Sequence, residues 1–215
     1  MGRGSSGAGG SLPNSSSGVN SANIKNSRDL VSMRERKQEE VDAVLESART
    51  LAEDYGVQVG QFEIADIGGK DSGVLAYSDG ENIGFNSGYF DGAKMDGAYD
   101  ESVKQGYHPS RGSKSAIEAV GYHEGGHVIT QRVADRLGYS GSGSMDKAAK
   151  KIVQGAMKRT GDKSSMKFAT KISGYSKTSY AECVAEAIAD VACNGKKASP
   201  ESRAIDAEIK SILKR

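Results

Sequence analysis

No stretch of this 215-residue chain is apolar for the roughly 18–20 residues that a membrane span needs, so a transmembrane helix is excluded. Charge of one sign is equally scarce. The 29 Lys+Arg against 28 Asp+Glu leave a formal net charge of +1, which gives no bulk pull toward nucleic acid or a membrane surface. There are only two cysteines, Cys183 and Cys193, and no CxxC pair. If the segment between them is helical, ten residues at about 1.5 Å each hold them roughly 15 Å apart. A disulfide needs Cα atoms within about 7 Å, so the two read as free thiols of a reducing compartment. The opening MGRGSSGAGG has no hydrophobic segment and does not read as a secretory signal, and no internal repeat is visible.

The remaining composition, 36% hydrophobic and 27% charged, suits a soluble domain with a modest core. Residues 1–27 are Gly, Ser and Asn with almost nothing apolar, which predicts a disordered arm ahead of a single domain over 28–215. From about Arg28 to Tyr55, Val41, Val44, Leu45, Ala48, Leu51, Ala52 and Tyr55 recur at helical spacing, and Gly56 stands where a helix stop belongs. Three strand-like runs follow, at 57–67, 74–79 and 81–86. GGKDSG separates the first two, and Asp79-Gly80 signals a two-residue hairpin between the others. Residues 96–105 suggest a short helix, and 115–137 a longer one with Ser115 and Glu118 at capping-box spacing and Gly138 as its stop. Further helices are expected over 146–159, over 178–193 and from Ser199-Pro200 onward. Helix, small sheet, then helices argues an α+β fold.

The stretch GYHEGGHVITQRV, residues 121–133, holds two of only three histidines, four residues apart with a glutamate between. On a helix, positions i and i+4 differ by only about 40° around the axis, so His123 and His127 project side by side and can share a zinc ion. Glu124 lies about 100° away, where a carboxylate can serve as general base for a water activated by the metal. A buried pair of hydrogen-bonded histidines is the competing reading. Gly125 and Gly126 each cost about 1 kcal/mol relative to Ala in mid-helix, so the pair predicts a close approach to this helix's backbone.

A third ligand is needed. The extended pattern HExxHxxGxxH fails, because Thr130 replaces its glycine and Val133 its last histidine. His108, on a loop beside Pro109, reads as a surface residue. TSYAECVAEAIADVACNG places Glu182, Glu186 and Asp190 at i, i+4 and i+8, either a solvated face or a stripe aimed at a cation. The segment 145–177 is rich in Lys and Arg and reads as a solvated face rather than a docking patch.

HEGGH followed some fifty residues later by SGYSKTSYAECVAEAIAD resembles the glutamate-zincin metallopeptidases of the anthrax lethal factor type, and zincin domains encoded by phages and mobile elements. The resemblance covers roughly residues 60–213 and is specific at these two motifs. It implies a zincin-like α+β fold with one Zn2+ per chain held by His123, His127 and Glu182. Glu124 becomes the base, Tyr175 the assisting tyrosine, and Glu186 the support of a ligand histidine from behind. ENIGFN resembles the family's substrate-aligning edge strand, which makes Asn82, Gly84 and Asn86 candidate substrate-binding residues. The implied activity is zinc-dependent endopeptidase action on a protein or peptide, in the cytoplasm or on a virion, with neither nucleic acid nor membrane as partner. The alternative is a non-catalytic zincin-fold module of a phage or mobile-element protein. Gly125, where the family favours an apolar residue, and Cys183-Val184, where it favours an aromatic pair, are departures that bear on substrate preference.

Overall fold

The computed structural model describes residues 38–65, 74–86 and 92–214. The expected arm over 1–27, the first residues of the 28–55 helix and the GGKDSG linker lie outside them. Helix α1, Gln38–Tyr55, buries Val44, Ser47 and Leu51 on one side and stops at Gly56, whose φ of 61° suits a residue without a Cβ. Three short strands follow: β1 at Phe62–Ala65, β2 at Ala76–Ser78 and β3 at Ile83–Asn86. Helix α2, Gly92–Lys104, turns Met95 and Tyr99 inward and starts ahead of the expected 96–105. The α+β class follows directly from this order. No helix among the described residues is long and apolar enough to cross a membrane.

The sheet differs from its expected arrangement. Its order is β1-β3-β2, so β3 is the central strand and not the edge. β3 pairs in parallel with β1 (Phe62 opposite Ile83) and antiparallel with β2 (Ser78 opposite Ile83). The link between β2 and β3 is a four-residue loop, 79–82, in place of a two-residue turn. Asp79 ties it down by accepting from the Glu81 and Asn82 backbone N–H groups at 2.9 and 2.7 Å. All four residues of β3 are buried, as a strand covered on both sides must be. Gly84 is needed there because the Tyr77 ring lies over it: a Cβ would come within 1.8 Å of that ring.

Helix α3, Ala116–Arg136, runs through the middle of the molecule. Its start is a full capping box: Ser115 Oγ accepts from Glu118 N–H at 3.2 Å, and the Glu118 carboxylate accepts from Ser115 N–H at 2.8 Å. Helices α4 (Ser144–Thr160), α5 (Ser165–Thr170, absent from the sequence expectation), α6 (Tyr180–Asn194) and α7 (Pro200–Leu213) complete the chain. α3 packs against α1, α4, α6 and strand β2. The paired glycines are where the neighbours come closest. A Cβ on Gly125 would meet Leu51 of α1, and one on Gly126 would sit 2.7 Å from the Ala185 Cα of α6. The expected close approach is therefore two approaches, from two different helices.

Candidate metal centre

α3 and α6 bring together three of the residues singled out above. His123 and His127 lie one turn apart on α3, with ring centroids 5.2 Å apart and planes at 81°. Ser179 caps α6 by accepting from Glu182 N–H at 3.0 Å, which places Glu182 in that helix's first turn. Ligand atoms of His123, His127 and Glu182 all lie within 4.8 Å of one another. Glu182 Oε2 is 3.0 Å from His123 Nε2 and 3.6 Å from His127 Nε2. The shorter contact has the length of a hydrogen bond without its geometry, so Oε2 is buried with no hydrogen-bond partner among the described residues. A partnerless buried carboxylate oxygen facing two imidazole nitrogens suits a cation between them. These three residues can hold a metal ion.

The electrostatics of the metal-free protein fit that reading. Burial works against charge on Glu182, yet the adjacent His127 and His123 hold its carboxyl well below the usual carboxylate range. Burial likewise opposes protonation of His123, but its contacts with Glu182 and Glu186 push it well above an ordinary imidazole; Glu182 does the same for His127. Opposite charges thus sustain one another in a water-poor place.

Behind the triad, Glu186 is 1% exposed and fully employed. It accepts from His123 Nδ1 at 2.8 Å and Ser173 Oγ at 2.7 Å, and from His108 Nδ1 at 3.0 and 3.1 Å to its two oxygens. Burial raises its pKa, but the bonds from His108 and His123 outweigh burial and hold it at about 2. An ionised carboxylate only accepts, so the Nδ1 of His123 must carry a proton, which leaves Nε2 as the nitrogen that can give up its proton and offer a metal a lone pair. Glu186 thus lies behind His123, in contact with the nitrogen that faces away from the triad. His108, expected on the surface, is instead part of this assembly.

Tyr175 stacks on the His123 ring, centroids 5.8 Å apart and planes at 23°. Its backbone is fixed by a two-segment clasp in which Gly174 N–H donates to Gly106 C=O at 2.8 Å and Tyr175 N–H to Tyr107 C=O at 2.9 Å. Burial first, then the charges of Glu182 and Glu124, push its hydroxyl far above the ordinary phenol range, so it remains a neutral donor. Glu124 is buried beside the histidines and makes no hydrogen bond among the described residues. Burial raises its pKa against the pull of His123 and His127.

Other expected site residues are elsewhere. Asn82 Oδ1 accepts from Gln61 N–H at 2.8 Å and its Nδ2 donates to Asp79, so its side chain closes the sheet's loop. Asn86 is wholly buried and donates to Val74 C=O at 2.8 Å. Gly84 and Asn86 belong to a strand whose two edges are already paired, which leaves them no free ladder for a substrate strand, and Asn82 lies in the loop before it. Asp190, the third acid of the stripe, accepts from Ser199 N–H at 2.9 Å and Asn194 Nδ2 at 2.8 Å, joining the end of α6 to the start of α7. Cys183 and Cys193 are free thiols. Comparison of the chain with protein-family models, curated proteins and solved structures finds no match.

Proposed function

We propose that this chain is a zinc-dependent endopeptidase of the zincin type, with His123, His127 and Glu182 as ligands. The observation that carries the reading is a carboxylate left over. Beside a triad able to hold a cation, Glu124 is buried, raised in pKa and without a side-chain hydrogen bond among the described residues, at a cost that a purely structural site has no reason to bear. When bound, zinc supplies Lewis acidity, polarising a carbonyl and acidifying water. Glu124 takes the proton of the attacking water and passes it to the departing amine. Tyr175, neutral and stacked against His123, donates its O–H to the carbonyl oxygen as charge gathers there.

Among the described strands, β2 offers a peptide an edge next to α3. Strand β2 is an edge of the described sheet and packs along α3: Gly80, just after it, lies over Gln131, and Phe85, opposite Ala76, lies over Gly121. Extended substrate laid on β2 therefore runs alongside the histidines, with its backbone aligned before reaction. The role expected of β3 passes to its neighbour.

The test is Glu124→Gln, which keeps shape and removes the base. Zinc measured by elemental analysis should stay near one per chain, while hydrolysis across a peptide library falls about 10²-fold or more. Tyr175→Phe should also spare zinc and slow turnover by roughly 10²–10³-fold. A wild-type chain that binds zinc yet cleaves nothing, or a Glu124→Gln chain as active as wild type, overturns the peptidase reading.

A further inference from the structure

We propose that His108 is a positioning residue of the metal centre, holding the Glu186 carboxylate in place and, through it, the ring of His123. The inference rests on the metal reading above and extends it to a loop residue outside α3 and α6. His123 and Ser173 each hold one oxygen of Glu186, which sets the twist of the carboxylate. His108 Nδ1 is 3.0 Å from one oxygen and 3.1 Å from the other. A third donor shared by both oxygens tethers the buried carboxylate to the 106–108 loop as well as to His123 and Ser173, so a shift of His108 shifts the Oε1 that meets His123 Nδ1.

The His108 ring is itself immobilised. It stacks on Tyr99 with centroids 5.4 Å apart and planes at 14°. It meets Tyr107 edge-on at 5.1 Å and Tyr175 edge-on at 5.4 Å. Three tyrosines therefore hold a ring whose nitrogen holds the carboxylate. The same clasp of 106–107 on 174–175 that sets Tyr175 also sets His108. One loop thereby positions both the ligand histidine and the tyrosine stacked on it.

A packing role and a hydrogen-bonding role give opposite rankings of two variants. His108→Phe keeps the aromatic wall and removes the donor; His108→Asn loses the wall and puts an amide N–H close to where Nδ1 was. Zinc affinity, read by competition with a chromophoric chelator, should fall about tenfold in His108→Phe and recover most of that loss in His108→Asn. The visible spectrum of the Co2+-loaded protein should shift for Phe and stay near wild type for Asn. A second measurement needs no variant: long-range 1H–15N spectra of the wild-type protein should place the His108 proton on Nδ1. Wild-type affinity in His108→Phe, an Asn variant no tighter than Phe, or a proton on Nε2 alone overturns the proposal. A wild-type chain that binds no zinc at all removes the metal reading itself, which distinguishes the two failures.

Discussion

Gly126→Ala adds one methyl group at the point where the two ligand-bearing helices touch. Its Cβ would stand 2.7 Å from Ala185 Cα and 3.3 Å from Ala185 Cβ. Carbon atoms in good contact sit about 3.5–4.0 Å apart, so α6 must retreat by roughly 0.8 Å or more, since a backbone atom cannot rotate aside. Glu182 and Glu186 flank Ala185 on α6 and move with it. Metal sites tolerate ligand displacements of about 0.2 Å, so the expected loss of zinc affinity is about a hundredfold or more. The fold should suffer less. Overpacking costs about 1–3 kcal/mol, and exchanging a mid-helix Gly for Ala returns about 1 kcal/mol. Gly125→Ala is the control. Its Cβ would come even closer, 1.8 Å from Leu51 Cδ1, but that atom ends a side chain that can turn, and α1 carries no ligand. Chelator competition for zinc and urea melts of the metal-free protein should show Gly126→Ala losing metal far more than stability, and Gly125→Ala the reverse. Wild-type zinc affinity in Gly126→Ala would refute the claim that this contact sets the ligand geometry.

Glu182→Gln should abolish tight zinc binding while Asp190→Asn keeps it and lowers stability by about 1–3 kcal/mol, because Asp190 bonds Ser199 and Asn194; the opposite ranking in paired titrations and melts would name the wrong acid. On either side of β2, Leu75 C=O accepts from Asn86 N–H and Asp79 N–H donates to Asn82 C=O, so by antiparallel alternation Tyr77 pairs with Gly84 and Ala76 turns its N–H outward. Ala76→Pro should therefore keep zinc and the fold but lower kcat/KM on peptides about three- to tenfold, the worth of one backbone hydrogen bond; unchanged kinetics would remove β2 as the substrate edge. His123 and His127 hold protons more tightly than the ordinary imidazole value of 6.5, so zinc must displace up to two of them. Zinc affinity should rise with pH, by up to a hundredfold per unit below those raised values, and level off above them; a flat profile from about pH 5 to 8 would exclude the imidazoles as ligands.

The helices were readable because their ends are local. Ser115 with Glu118, Ser179 with Glu182, and Ser199 ahead of Pro200 each lie within one turn, and every one of these caps forms. The two histidines were readable for a related reason, since spacing along α3 decides which side chains project together; spacing left Glu182, Glu186 and Asp190 open, and only the resemblance to glutamate-zincins singled out Glu182. Strand order was not readable, because β1 joins β3 across a link of some twenty residues, and nothing within ENIGFN records that partner. Gly84 and Asn86 both looked compatible with an exposed edge; one makes room for Tyr77 and the other bonds Val74. His108 was missed because its partner, Glu186, is 78 residues away. Its one local signal was Tyr107 beside it, an aromatic neighbour that helps to pin the ring.

Gly121, Gly125 and Gly126 together make α3 a poor helix in isolation. At about 1 kcal/mol each relative to Ala, they cost a lone segment more than its capping box returns. A peptide spanning 115–137 should then be mostly unstructured in water, and in the nascent chain the helix should appear only when α1 and α6 dock on its glycine faces. His123 and His127 consequently have no fixed spacing before that docking. An unfolded chain offers a metal two loose imidazoles instead of a preset pair, so whatever binding free energy the pair provides goes almost wholly to the folded state.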